Sequence, residues 1–287
     1  MLNASSSQVL QPLGDALPEA AVAYYSALDA GRWVDAVACF AVSAAYAVPG
    51  IDEIETGPRR VFRGRDEIRR ALVERPPARA LLQHRADLSV TRGDVCLLEG
   101  VVVNRADGVP VESFAASIQL SDGGLISRYL AFRCEPPIAA IADAATHGDG
   151  NLVGEEALDR YFASLEAGEF EDAVDCFSSD VMYSHPPYGG DHPKGGQRIV
   201  FSGRAELLAG FQMRGRRAVR HQLLTHEQRG RHALVEGIVD HLPGDVVGSF
   251  LSSYSIDADG RIQRYASFYC QPGLPPHPIA SESADSS

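Results

Sequence analysis

The chain has 287 residues, of which 45% are hydrophobic and 22% charged, a composition typical of globular proteins with about two domains. Its net charge of −12 argues against a surface that binds nucleic acid or an anionic membrane, since phosphate groups require clustered Lys and Arg. No stretch is apolar for long enough to span a bilayer, and residues 1–17 lack the basic start and apolar run of a secretory signal, so a cytoplasmic location is expected.

The predicted elements begin with helices. An amphipathic helix is predicted over 20–30 and a second, short helix over 33–40, with Gly31 ending the first. A short strand over 45–48 and a loop lead to the segment VFRGR and a third helix over 66–74. Four β-rich runs linked by turn signals follow, so the sequence predicts an α+β unit with a curved antiparallel sheet.

The same order of elements recurs in the second half of the chain. Helices are predicted over 155–167, 170–177 and 205–212, with a strand over 181–185 and four further β-rich runs. The sequence itself repeats: ALDAGRWVDAVACF at 27–40 is matched by SLEAGEFEDAVDCF at 164–177, VFRGRDEI by VFSGRAEL, LEGVVV by VEGIVD, and SFAASIQLSDGGLISRYLAFRC by SFLSSYSIDADGRIQRYASFYC. Four collinear matches indicate a tandem duplication.

Together, these features resemble the SnoaL-like and ketosteroid-isomerase-like branch of the NTF2-like superfamily. The resemblance rests on the order of helices and strands in each copy and on the Gly-Arg before each third helix. It implies two tandem cone-shaped domains, each with about three N-terminal helices packed on a curved, mainly antiparallel sheet around a pocket. This scaffold serves cyclases, isomerases, dehydratases, epoxide hydrolases and pure binding modules, so it does not decide the activity.

The repeats set the predicted domain boundaries. An N-terminal domain is expected over 15–138, a C-terminal domain over 152–272, and a disordered tail, rich in Pro and Ser, over 273–287. The five cysteines are scattered without the paired spacing of metal ligands, which favours buried free thiols.

Polar residues at the end of the first strand of the second repeat are the first candidates for a site. Tyr183 and His185 are two residues apart and therefore share a face. The two prolines that follow restrict the direction of His185, which makes it a candidate general acid or base, and Tyr183 a candidate oxyanion donor. The alternative is that His185 and Tyr188 are exposed loop residues and Tyr183 a core aromatic.

A second candidate pair is His221 with Glu236. Strand alternation places His221, Leu223 and Thr225 on one face of their strand, and Glu236 on the next strand is a candidate to orient the imidazole of His221. The alternative is that Glu236 is a buried acid whose partner is an arginine, either Arg128 or Arg264.

Four further residues were expected to contact the substrate: Tyr188, Phe201, Asp240 and Tyr254. The first repeat has Tyr46, Val48, Asn104 and Ile118 where the second has Tyr183, His185, His241 and Tyr254, which favours a degenerate first repeat beside an active second one. The alternative is that the two copies recognise different ligands.

The leading hypothesis is a cofactor-independent biosynthetic enzyme that performs cyclisation, dehydration or isomerisation of a small, oxygenated, apolar substrate in the C-terminal cone. No metal and no cofactor are expected, and the partners are a small molecule and the other repeat, in an intramolecular pseudo-dimer. The rival hypothesis is a non-catalytic small-molecule-binding or scaffold protein of the same architecture. The sequence does not decide whether two whole chains also form a homodimer.

Overall fold

The protein is described by a computed structural model that covers residues 13–48, 60–73, 81–135, 137–138, 153–186, 198–242 and 246–270. Each repeat places its helices before most of its strands. The elements of the first repeat are β1 (Leu13–Gly14), α1 (Glu19–Asp29), α2 (Trp33–Ala38), β2 (Phe40–Val48), β3 (Arg60–Arg63), α3 (Gly64–Val73), β4 (Leu82–Arg92), β5 (Val95–Asn104), β6 (Pro110–Leu120) and β7 (Ile126–Cys134).

The second repeat copies this order without a counterpart of β1. Its elements are α4 (Val153–Ala167), α5 (Phe170–Asp175), β8 (Phe177–His185), β9 (Ile199–Ser202), α6 (Arg204–Arg214), β10 (Val219–Arg229), β11 (His232–His241), β12 (Val246–Ile256) and β13 (Ile262–Cys270). None of the helices in the described ranges combines the length and the apolar character that crossing a membrane requires.

Each repeat forms one sheet, with the strand order β1-β4-β5-β6-β7-β2-β3 in the first and β10-β11-β12-β13-β8-β9 in the second. All neighbouring strands are antiparallel except β2 with β7, β8 with β13, and the short β1 with β4. The predicted fold class, two tandem α+β units that each pack helices on a mainly antiparallel sheet, is confirmed.

The structure extends two of the predicted strands. β2 and β8 begin at Phe40 and Phe177, where the sequence predicted the end of a helix, because these residues pair with Ile126 and Ile262 in the parallel part of each sheet. The VF segments, to which the sequence assigned no strand, form β3 and β9, which pair with the outer edges of β2 and β8. Tertiary pairing therefore decides these short elements rather than local propensity.

The repeated Gly-Arg has a structural function in both copies. Gly64 and Gly203 have φ angles of 75° and 82°, a conformation that favours glycine. The next residue, Arg65 or Arg204, donates from Nε to the carbonyl of Phe40 or Phe177, at 2.7 and 2.6 Å. The motif thus ties the start of the third helix to the start of the long strand.

Each sheet has two covered faces. The inner face packs against the helices of its own repeat and forms a core of its own. The outer face packs against the other repeat in a third core, which we call the inter-repeat core. It consists of Ala47, Leu88, Val90, Leu97, Ala115, Leu130, Phe132, Cys134 and Ile138 from the first repeat and Leu234, Leu251, Ala266, Phe268 and Cys270 from the second. All five cysteines are free and buried, as predicted.

Two buried ion pairs cross the inter-repeat core. Arg128 Nη2 lies 2.6 Å from Glu236 Oε1, and Arg264 Nη2 lies 2.6 Å from Glu99 Oε1. Each pair therefore takes its arginine from one repeat and its glutamate from the other. Ser117 donates to Glu236 Oε2 at 2.5 Å, so the remaining oxygen of that carboxylate is also bound.

Candidate functional site

The inner face of the second repeat carries a cluster of aromatic side chains. The hydroxyls of Tyr161, on α4, and Tyr183, on β8, lie 3.0 Å apart. Tyr183 is fully buried and stacks on Tyr265 of β13, with ring centroids 5.2 Å apart. This cluster fixes the position of the Tyr183 hydroxyl, and sequence reasoning identified only Tyr183 among its members.

His185 lies on the same face as Tyr183, as strand alternation predicted. The two rings are parallel within 3°, with centroids 6.0 Å apart. Nδ1 of His185 donates to the carbonyl of Pro186 at 2.6 Å, and burial lowers the pKa of the ring from 6.5 to about 3. His185 is therefore neutral at physiological pH, with its proton on Nδ1 and a lone pair on Nε2.

His221, on β10, also lies on the inner face, where Glu166 at the end of α4 orients it. Its Nδ1 lies 2.9 Å from Glu166 Oε1, and its backbone N–H donates to the same oxygen at 2.5 Å. Burial alone would raise the pKa of Glu166, but the hydrogen bonds from His221 lower it below its ordinary value. The carboxylate is thus an acceptor, so Nδ1 of His221 carries the proton.

The ring of His221 is further held by Phe162, which stacks on it in parallel with centroids 4.4 Å apart. Phe250 contacts the same ring from the sheet side, at 5.9 Å and 75°. His221 also contributes to lowering the pKa of His185, which places the two imidazoles within electrostatic reach across one interior.

The expected pairing of His221 with Glu236 is wrong. His221 faces Val239 of β11, which belongs to the inner core, whereas Glu236 is three residues from Val239 and points to the opposite face. There it pairs with Arg128, which is the alternative partner that the sequence suggested.

Glu166, the carboxylate that orients His221, is matched by an acid in the first repeat. Glu166 in the sequence LEAG corresponds to Asp29 in LDAG of the first repeat. In that repeat, Asp29 receives the backbone N–H of His84 at 2.9 Å and its Nδ1 at 2.6 Å. Both repeats therefore keep an acid and a histidine 55 residues apart, and this shared spacing is the sequence signal for the pair.

Thr225 was expected on the face of His221 and is on the other one. A β-bulge between Leu223 and Thr225 shifts the register, so Thr225 lies opposite Glu236. The bulge instead turns His226 inward, where its Nε2 lies 2.7 Å from the hydroxyl of Tyr254.

The residues expected to contact the substrate lie in different environments. Phe201 packs against the inner core, 6.1 Å from Tyr183. Tyr254 is also inside, buried and bonded to His226, and burial raises the pKa of its hydroxyl. Asp240 is on the opposite face and binds Arg220 at 2.9 Å, so it does not line the interior. Tyr188 lies outside the described residues.

Within the ranges that the structure describes, His, Cys, Asp and Glu side chains form no group of three or more that could hold a metal ion. The polar groups of the interior are instead paired imidazoles, carboxylates and phenols. Such a set can accept, donate and relay protons next to aromatic walls.

Comparison with known proteins identifies one family. The model of a family described as a SnoaL-like domain matches residues 158–265, which lie in the second repeat. None of the curated proteins is similar in sequence to this chain.

Solved structures similar to this chain include an NTF-2 like protein of unknown function from Burkholderia xenovorans LB400, with 20% identity, 44% of this chain and 88% of that chain covered, and a TM-score of 0.33. An LEH-like epoxide hydrolase of Mycobacterium tuberculosis has 18% identity and a TM-score of 0.32, and the match covers 41% of this chain and 82% of that chain. A second protein of that organism, solved in complex with estradiol-17beta-hemisuccinate, has 12% identity, with 40% and 92% covered and a TM-score of 0.32.

Proposed function

We propose, from the match of residues 158–265 to the SnoaL-like domain family, that the second repeat is a cofactor-independent enzyme of biosynthesis. It transfers protons within a small, oxygenated, apolar substrate, in a cyclisation, dehydration or isomerisation. The observation that carries the proposal is the pair of His221 and Glu166, 2.9 Å apart on the aromatic inner face.

In this proposal, His221 is the base. Glu166 holds the proton on Nδ1, so Nε2 presents its lone pair to the substrate, and the negative carboxylate stabilises the imidazolium that forms. A histidine without such a partner would rotate and lose this orientation, so Glu166 is a positioning residue rather than a catalytic one.

Tyr183 and His185 take the complementary function. The hydroxyl of Tyr183 is the donor for negative charge that develops on a substrate oxygen, and Tyr161 fixes its direction. His185 lies beside it, with its ring parallel to that of Tyr183. Aromatic walls exclude water and favour an apolar substrate.

We also propose that the two repeats act as an intramolecular pseudo-dimer within the cytoplasm. The inter-repeat core and its two crossed ion pairs support this arrangement. It leaves the inner face of each repeat directed away from the contact.

The proposal can be tested with nitrobenzisoxazole, a small aromatic probe of general bases in apolar sites. The base removes the proton on carbon, the N–O bond breaks, and a coloured cyanophenolate is released. We expect turnover by the wild type, a loss of about 100-fold in kcat/KM for His221→Asn, and a smaller loss for Glu166→Gln.

His241→Asn is the matched control. His241 lies at the end of β11 and bonds to Tyr269, and the first repeat has Asn104 at the equivalent position. Its kcat/KM should equal that of the wild type. Turnover that is equal in His221→Asn and the wild type would refute the assignment, and saturable binding of the probe without turnover would favour a binding protein.

A further inference from the structure

The first repeat contains a cavity of about 160 Å³ between α1 and β4. Its lining includes Tyr25 and Asp29 from the helix, Gln83 and His84 from the strand, Phe114 from β6, and Arg105 at the end of β5. The volume is close to the roughly 150 Å³ cavity that accommodates one benzene molecule in a protein interior. The cavity therefore fits a ligand with a single ring.

One wall of the cavity offers a directed hydrogen-bond acceptor. Asp29 accepts the proton on Nδ1 of His84 at 2.6 Å, and in the neutral tautomer this arrangement places the lone pair on Nε2. Among the residues that the structure describes, Nε2 of His84 makes no hydrogen bond. The side chain of His84 is 16% exposed, so the ring is reachable from the cavity.

Aromatic rings form the other walls. Tyr25 and Phe114 lie with their ring centroids 5.2 and 5.3 Å from that of His84, and the ring of Phe114 is nearly perpendicular to the imidazole. The hydroxyl of Tyr25 is engaged by the hydroxyl of Tyr129 at 3.0 Å, so Tyr25 offers its ring. Such walls suit the face and edge of a planar ring.

Arg105 preforms the mouth of the cavity. Its Nε donates to the carbonyl of Leu82 at 3.0 Å, and its Nη2 donates to the carbonyl of Asp29. The guanidinium thus bridges the end of α1 to the start of β4. The helix and the strand are held apart at a fixed distance before a ligand enters, which lowers the entropic cost of binding.

The second repeat does not copy this cavity wall. Phe162 replaces Tyr25 and stacks on His221 at 4.4 Å, while Leu242 stands at the position of Arg105. Both repeats keep the histidine and its carboxylate. In the second repeat the ring of Phe162 covers one face of the imidazole, whereas in the first repeat the imidazole lines the cavity.

We infer that the cavity of the first repeat binds a single-ring phenol or enol whose hydroxyl donates to Nε2 of His84 and whose ring packs against Tyr25 and Phe114, which line the cavity side by side with their centroids 5.8 Å apart. This assigns a ligand site of its own to the repeat that the sequence suggested was degenerate. The site is separate from the one in the second repeat and stands whether or not that repeat is an enzyme.

The test is a titration of the full chain, labelled in its histidine rings, with phenol. The His84 signal, assigned by its loss in His84→Asn, should shift saturably. Benzene has the same ring without the donor, so it should bind at least about tenfold more weakly at this signal. A His84 signal that phenol does not shift would overturn the inference, as would equal affinities for phenol and benzene.

Ser26→Phe provides a second variant that leaves the histidine in place. Ser26 is an exposed residue of α1 that lines the cavity, so a phenyl group there fills the space without disturbing the core. We expect it to raise the phenol dissociation constant at His84 at least tenfold, with the His221 signal in the same spectrum unchanged. An unaltered dissociation constant at His84 would show that phenol binds elsewhere and would overturn the inference.

Discussion

At the scale of single residues, burial determines the pH at which the ring of His185 takes up a proton. The pKa of its ring is about 3 in the folded protein, whereas an exposed histidine titrates near 6.5. Between these values, the unfolded chain binds a proton at this position that the folded chain does not bind. The folded state is therefore stabilised as the pH rises through this range and destabilised as it falls.

His185→Val, which introduces the residue of the first repeat, should weaken this dependence. We expect the wild type to lose about 2 kcal/mol of unfolding free energy through His185 between pH 7 and about pH 5, and the variant to lose correspondingly less. Urea unfolding at the two pH values measures the difference. Identical losses in both proteins would show that His185 titrates normally.

The residues that the sequence predicted well are those governed by strand alternation alone. Tyr183 and His185 share a face because two residues always do in a regular strand. Glu236 was misplaced because alternation does not say which face is inward, and Thr225 because a bulge broke the alternation. Glu166 was missed because it comes from a helix, and the helix–strand packing that brings it to His221 is a tertiary event.

At the scale of elements, the bulges in β4 and β10 depend on a glycine in the next strand. Gly100 and Gly237 occupy equivalent positions in β5 and β11 and pair with Ala86 and Leu223, beside the two bulges. A Cβ atom at Gly237 would lie 2.4 Å from Phe250 and 2.6 Å from the carbonyl of Gln222. The strand backbone therefore requires a residue without a side chain here.

Gly237→Ala should lower the unfolding free energy by about 1–3 kcal/mol, the usual cost of inserting a methyl group into filled space. Gly123→Ala is the control, because a Cβ atom there meets only Ser121 Oγ at 3.9 Å, and it should change stability by less than about 0.5 kcal/mol. Urea midpoints measure both. Equal midpoints for the two variants would mean that the sheet relaxes around the methyl group.

The long periodic elements and the short helices α2 and α5 were predictable, whereas the short strands β3 and β9 were not. The first helix of each repeat and the four strands that follow the third helix have clear patterns, and the structure confirms them. β3 and β9 have only four residues each, and their pairing with β2 and β8 determines them. Local sequence carries too little information for elements of that length.

At the scale of the whole molecule, the crossed ion pairs make the contact between repeats sensitive to charge. Glu236→Gln leaves Arg128 buried without a counter-charge, which should cost about 3–5 kcal/mol of unfolding free energy. Asp240→Asn breaks the pair with Arg220 at the surface and should cost less than about 1 kcal/mol. If guanidinium unfolding gave equal costs, the buried pair would contribute no more than the surface pair.

The inter-repeat core predicts that the two repeats unfold together. Trp33 is the only tryptophan of the chain, and it lies in α2 of the first repeat. Its fluorescence therefore reports on one repeat, while far-ultraviolet circular dichroism reports on both. We expect coincident urea transitions with the two probes. Two separated transitions would show that the repeats are stable independently.

The duplication was readable in the sequence, but the arrangement of the copies was not. The matched segments indicate that the same fold occurs twice, because segments of similar sequence in the same order form similar structures. Which faces meet depends on side chains that are apolar on both sides of each sheet, such as Leu234 outside and Val235 inside. Arg128, Glu99, Arg264 and Glu236 mark the contact face only once the structure shows their partners.

The crossed arrangement of Arg128 with Glu236 and Arg264 with Glu99 has a consequence for inheritance. A substitution on the outer face of one repeat must be compensated by a substitution in the other repeat. The inner face of each repeat packs against its own helices, so a substitution there needs no such compensation. A symmetric homodimer must carry the same cone twice, since one coding sequence specifies both subunits. In a fused pair each repeat has its own coding sequence. The inner faces of the two repeats can therefore diverge while the residues of the inter-repeat core stay complementary.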